Sequence, residues 1–91
     1  MLAIVGYDIT DRKRLSKVAK LCEDYGFRIQ YSVFECRLEA GAFDCFWDAL
    51  SDLIDENEDR VVAYRICANC AREIRDAGIQ VHSGKAIAYV F

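Results

Sequence analysis

Hydrophobic and polar positions follow two periods along the chain. Leu2-Ala3-Ile4-Val5-Gly6-Tyr7-Asp8-Ile9 is short, rich in branched and aromatic side chains and apolar at both parities, which predicts a strand covered on both faces. Asp8 stands at its C-terminal end. Thr10 or Asp11 then offers a cap for a helix whose apolar positions Leu15, Val18, Ala19 and Cys22 recur at i, i+3, i+4 and i+7, and which stops near Gly26. Its outer face carries Lys13, Lys17 and Lys20, with Arg12 and Arg14 on the flanks. Residues 27–38 become strand-like again, as one long bulged strand or as two short ones turning near Tyr31-Ser32. Gly41 precedes a second helix in which Phe43, Phe46, Trp47, Leu50, Leu53 and Ile54 keep helical spacing, while Asp44, Asp48, Asp52 and Asp55 line the opposite side. Residues 61–66 form a further strand and residues 86–91 a last one, with an irregular stretch over 67–84 between them.

That order predicts an α+β fold, a ferredoxin-like βαββαβ sandwich with an additional C-terminal strand. Nothing reads as a linker or repeat, so residues 1–91 form a single domain. Both helices lie on one sheet face in such a sandwich, which leaves the other bare. The first strand is nevertheless apolar at both parities, and a bare apolar sheet is an association surface. Dimerisation through the sheet face is the simplest cover, with the last strand pairing at an edge of its own chain or of the partner's.

Composition agrees with a small globular domain: 91 residues, 54% hydrophobic and 30% charged, with five glycines and no proline. No apolar run approaches the roughly 20 residues of a membrane helix. The first apolar run meets Asp8 without a basic n-region, so no secretory signal is read and a soluble, cytoplasmic protein is expected. The net charge of −3 speaks against polyanionic partners until the chain is divided. Residues 1–38 hold seven Lys+Arg against five Asp+Glu, and residues 39–91 hold five against ten, so the two parts carry +2 and −5.

Candidate chemistry begins with Asp8, because a carboxylate directly after a buried apolar strand is out of place unless paired, hydrogen-bonded or metal-bound. It could simply be a strand-end acid near the helix start. A two-fold axis near the strand ends would instead bring two copies of Asp8 together, obliged to share a proton or a cation. Mg2+ suits that pair, since it takes hard oxygen ligands and usually binds through one or two carboxylates. Arg12, Lys13, Arg14, Lys17 and Lys20 follow with no acid across residues 12–20, joined by Arg28 and Arg37 on the strand region. A metal carboxylate rimmed by cations is what phosphodiester chemistry needs. The eight carboxylates from Glu39 to Asp59 read as a solvated helix face.

Other motifs are weaker. Five cysteines without a secretion signal argue for reduced thiols. Cys22 and Cys45 read as core and Cys36 as packing. Cys67-Ala68-Asn69-Cys70 is a lone CxxC: a zinc site would find only His82 beyond it, and a redox motif would want a helix, for which residues 71–74 offer a candidate. Two ordinary thiols are the default. His82 beside Ser83-Gly84 supports no catalytic triad. Tyr7, Tyr31, Phe34 and Tyr64 lack the glycine-bearing context of an RNA-recognition motif.

Taken together, Tyr7-Asp8-Ile9-Thr10-Asp11 after an apolar strand, the basic helix to Val18-Ala19-Lys20, and Gly26-Phe27-Arg28-Ile29-Gln30-Tyr31-Ser32-Val33-Phe34-Glu35-Cys36-Arg37-Leu38 closely resemble the CRISPR-associated Cas-two family. The resemblance implies a ferredoxin-like homodimer working in CRISPR adaptation beside the Cas-one integrase, where it bridges integrase pairs and holds the DNA that becomes a spacer. It also implies a Mg2+-dependent nuclease acting on single-stranded RNA or double-stranded DNA, with Asp8 of each subunit on one shared metal. Tyr7, Arg28, Ser32 and Phe34 match the family's neighbouring tyrosine, strand arginine, serine and phenylalanine. Several members carry an arginine where this chain has Leu15.

The leading expectation is therefore a cytoplasmic, nucleic-acid-binding homodimer with Asp8, Tyr7, Ser32 and Phe34 at a phosphodiesterase centre. Arg12, Lys13, Arg14, Lys17, Arg28 and Arg37 are its expected nucleic-acid contacts. The same dimer acting as a non-catalytic DNA scaffold is the main alternative, and a toxin-type ribonuclease of the virulence-associated D family a more distant one.

Overall fold

A computed structural model of the chain describes residues 1–78, so the expected strand over 86–91 and His82 lie outside the described residues. The elements run β1 (Leu2–Asp8), α1 (Arg12–Tyr25), β2 (Phe27–Gln30), β3 (Val33–Arg37), α2 (Ala40–Leu53), β4 (Arg60–Ile66) and a single helical turn, α3 (Ala68–Ala71). The strands form one sheet of order β2-β3-β1-β4 in which every neighbour pair is antiparallel. This is the ferredoxin-like sandwich, with β1 between β3 and β4. The open choice over 27–38 resolves into two strands, because Tyr31 and Ser32 form the turn of a hairpin; its register shifts between Arg28 and Gln30.

Strand alternation sorts β1 into two faces. Val5 and Tyr7 point toward the helices and join Phe34 and Cys36 of β3, Val18 and Cys22 of α1, and Phe46 and Leu50 of α2 in the buried core. Asp11 caps α1, its carboxylate accepting from the backbone N–H of Arg14 at 2.9 Å. Leu15 departs from the expected apolar stripe: it is 40% exposed, one turn before the helix meets the sheet at Val18. Cys45 is exposed and is not core, unlike Cys22 and Cys36. Burial, then repulsion from the neighbouring Cys36, pushes the Cys22 thiol up to about 12, and burial raises Cys36 to about 11. Both are inert packing groups at neutral pH.

Gly26 ends α1 where the chain passes close against β3. A Cβ there would stand 2.4 Å from the carbonyl oxygen of Glu35 and 2.8 Å from Cys36 Sγ. Backbone cannot yield as a side-chain tip can, so Gly26→Ala is expected to cost about 1–3 kcal/mol in urea unfolding. An unchanged midpoint would mean that the helix end moves freely relative to the sheet.

Candidate functional site

Asp8 is the last residue of β1 and its side chain belongs to the sheet face turned away from both helices. Its cross-strand partner in β4 is Arg60, and residues directly opposite in an antiparallel pair share a face. With Gly6, Tyr7, Ser32, Val33, Val62 and Tyr64 these two line an open cleft of about 270 Å³. Asp8 is exposed, and among the described residues its carboxylate accepts no hydrogen bond and joins no ion pair. An exposed carboxylate that the fold leaves unused is an available hard-oxygen ligand. No cluster of three or more metal-ligating side chains occurs among the described residues, and Asp8 is the one carboxylate that lines this cleft. That suits Mg2+, which keeps most of its waters and needs few protein ligands.

Of the expected site residues, Ser32 lies in the cleft, and its backbone carbonyl accepts from the Tyr7 N–H at 3.1 Å. Tyr7 is buried beneath it, its hydroxyl donating to the Tyr31 carbonyl at 3.3 Å. Burial raises the Tyr7 pKa. Phe34 is fully buried, 6.1 Å from the Tyr7 ring centroid, so it reaches nothing outside the core. The Arg28 guanidinium carbon sits 4.9 Å over the Phe34 ring, and the same group donates to Glu23 at 3.1 Å and to the Tyr31 carbonyl. Phe34 therefore acts on the site by seating Arg28, and Arg28 by bracing the Tyr31-Ser32 turn.

Arg14 has an equally definite employment. Its Nε donates to Asp59 Oδ2 at 2.8 Å and its Nη2 to Asp59 Oδ1 at 3.4 Å, with Glu58 at 3.9 Å. The Asp59 carboxylate is fully buried and also accepts from the Thr10 N–H, the Thr10 hydroxyl and the Asp55 N–H. Asp59 is thus not part of a solvated face, as the acidic run suggested. It ties the segment after Asp8 to the start of β4, because its paired position at the end of α2's loop meets Thr10 and Arg14 in space. The hydrogen bond from Arg14, then that from Asp55, holds its carboxyl well below the usual range. Arg37 donates to the buried Glu35 at 3.0 Å. Arg12, Lys13 and Lys17 remain exposed at the start of α1 with no ion pair among the described residues.

Sequence reasoning missed Arg60 and Asp59. Each is one charge at the end of a charged run, and only the β1–β4 register and the packing of the loop against Thr10 distinguish them. No helix among the described residues is long and apolar enough to cross a membrane.

Known proteins share this fold and much of this sequence. The family model described as CRISPR associated protein Cas2 matches residues 1–74. A protein of Chloroflexus aurantiacus named CRISPR-associated endoribonuclease Cas2 1 is 44% identical over 79 residues, covering 86% of this chain and 85% of its own. One of Halalkalibacterium halodurans, named CRISPR-associated endonuclease Cas2, is 37% identical over 86% of each chain. The crystal structure of Streptococcus pyogenes Cas2 at pH 6.5 superposes with a TM-score of 0.76 at 40% identity, over 86% of this chain and 100% of that one. With the family model spanning four-fifths of its length and a solved Cas2 structure sharing its fold at 40% identity, the chain belongs to the CRISPR-associated protein Cas2 family.

Proposed function

We propose that the protein is a metal-dependent endonuclease of CRISPR adaptation, a homodimer that binds single-stranded RNA or double-stranded DNA and works beside the Cas-one integrase. The observation that carries the reading is the Asp8 carboxylate, exposed at a strand end and without a partner among the described residues. The relatives' names, endoribonuclease and endonuclease, give it direction. A second copy set against the open sheet face would supply a second Asp8, cover Ile4, Val62 and Tyr64, and complete a two-carboxylate site for Mg2+. When bound, such an ion supplies charge stabilisation at the phosphate and a more acidic water.

The chain's own residues do the rest. Asp8 holds the ion by its free oxygens, and Arg60 across the ladder offers a cation to the phosphate being cut. Arg12, Lys13 and Lys17 neutralise neighbouring phosphates at the same end of the molecule. Arg14 and Arg28 are positioning residues, since their guanidinium groups are already held by Asp59 and Glu23. The exposed cations Arg12, Lys13 and Lys17 and the single carboxylate in the cleft also favour a second reading, a scaffold that holds DNA without cutting it.

Two measurements separate these. Chelation by EDTA is expected to end cleavage of both substrate types while binding persists; no cleavage at any Mg2+ concentration leaves the scaffold. Removing the charges of Arg12, Lys13 and Lys17 together is expected to flatten the salt dependence of binding by roughly two to three in log–log slope, at about 0.9 for each lost phosphate contact on duplex DNA. Arg14→Ala should leave that slope unaltered, and a full unit lost there would return Arg14 to the binding face.

A further inference from the structure

The nuclease reading leaves the Cys67-Ala68-Asn69-Cys70 turn unused. It lies at the far end of the sheet from the candidate site, since Ile66 pairs with Leu2 whereas Arg60 pairs with Asp8. The helical turn begins at Ala68, three residues earlier than the sequence suggests, and this brings both cysteines onto one turn. Both thiols are exposed. Cys67 keeps an extended backbone, φ −70° and ψ 163°, which carries its Sγ over the turn to accept from the Cys70 N–H at 3.4 Å. Surrounding bonds hold the turn in shape: the Ala71 N–H donates to the Cys67 carbonyl at 2.9 Å, and Arg72 Nη2 donates to Asn69 Oδ1 at 2.7 Å.

We propose that Cys67 and Cys70 form a redox-active dithiol that exchanges with low-molecular-weight disulfides, Cys67 being the attacking sulfur. The geometry separates the roles. Cys67 Sγ accepts from the Cys70 backbone N–H, so its thiolate is favoured and its pKa lies below the ordinary thiol value, while the neighbouring Cys67 raises that of Cys70. Cys67 bonds to one sulfur of a disulfide such as oxidised glutathione and expels the other as a thiolate. Cys70 then bonds to Cys67 Sγ and displaces the second thiolate. The protein gives up two electrons and two protons, and the small disulfide leaves as two thiols. A resolving sulfur three residues on, in the same turn, makes the second step intramolecular, an advantage that exposed Cys45 lacks.

Closing the ring would stiffen the turn by which the chain leaves β4. The same turn supplies Ala68 and Ala71 to a hollow of about 400 Å³ with Met1, Leu2, Arg37 and Ile66, so its shape is tied to the open sheet face.

The test is to equilibrate the whole protein anaerobically at pH 7 across ratios of reduced to oxidised glutathione, quench with acid, alkylate and map by mass spectrometry. The expected product is a Cys67–Cys70 disulfide, about 2 Da lighter than the reduced chain, with the other three thiols alkylated. Cys70→Ser should trap glutathione on Cys67, and Cys67→Ser should take it up at Cys70 at least roughly fivefold more slowly. Absence of the intramolecular disulfide at every ratio, or glutathione accumulating on Cys45 as fast as on Cys67 in the Cys70→Ser chain, would overturn the proposal.

Discussion

Replacing Asp8 with alanine is expected to lower Mg2+-dependent cleavage by at least about 100-fold while the melting temperature stays within about 2 °C of the parent. The two halves of that expectation have separate causes. Asp8 is exposed and accepts no hydrogen bond among the described residues, so its removal leaves no buried group unsatisfied. Its only charge-bearing neighbour across the ladder, Arg60, is itself exposed and remains solvated. Binding of nucleic acid should change by less than about threefold, because phosphate contacts come from cations and loss of one carboxylate slightly favours a polyanion. Cleavage that survives in the alanine variant would dispose of the metal-centre mechanism. Mixing wild-type and variant chains adds a finer reading: if both copies of Asp8 serve one site, activity follows the square of the wild-type fraction. A linear dependence would mean that each chain cuts by itself.

Asp59→Asn is expected to do the reverse, lowering the melting temperature by roughly 10 °C, because an uncompensated Arg14 charge and a half-filled buried amide replace a fully satisfied carboxylate. The acid dependence should change with it. The carboxyl of Asp59 is held below its ordinary value of 3.8 in the folded protein, so the unfolded chain binds the proton more readily. Its contribution to stability is therefore complete above that ordinary value and is lost as pH falls through it toward the lower folded value. Thermal melts from pH 6 down to pH 3 should show a steeper decline for the parent than for Asp59→Asn. Parallel curves would show that another carboxylate governs acid unfolding. Because Thr10 is held by Asp59 two residues beyond Asp8, cleavage should fall as well, with the loss restored in Asp59→Glu only as far as the longer side chain can reach Thr10 and Arg14.

Much of this architecture is legible in the chain because its elements report their burial locally. The branched, apolar run over residues 2–8 predicts a strand, and β1 is one, paired between β3 and β4. Phe46 and Leu50 keep helical spacing and lie in the core. Periodicity is blunter at the margins. Leu15 and Cys45 read as apolar yet stand exposed: Leu15 lies in the first turn of α1, ahead of buried Val18, and Cys45 lies beside the α2 face that Phe46 and Leu50 bury. Phe34 and Arg28 look like site residues in one dimension. In three, the ring lies in the core and the guanidinium is spent on Glu23, Tyr31 and the ring face.

The chain by itself determined the order of strands and helices over the described residues, the family, the polarised charge and the place of Asp8 at a strand end, since each depends on residue types at short range or on a contiguous motif. Only the tertiary structure decided which charges are free. Arg14 and Lys13 are indistinguishable neighbours in a basic run, but helix geometry turns Arg14 toward a buried carboxylate 45 residues away and leaves Lys13 in solvent. Asp8 and Asp59 diverge for the same reason: five donors converge on Asp59 through the packing of β1, α1 and the loop before β4, whereas Asp8 at the strand end meets no donor among the described residues. Whether a charge stabilises the fold or remains available for a ligand is set by which groups meet it in space, and sequence distance carries no record of that meeting.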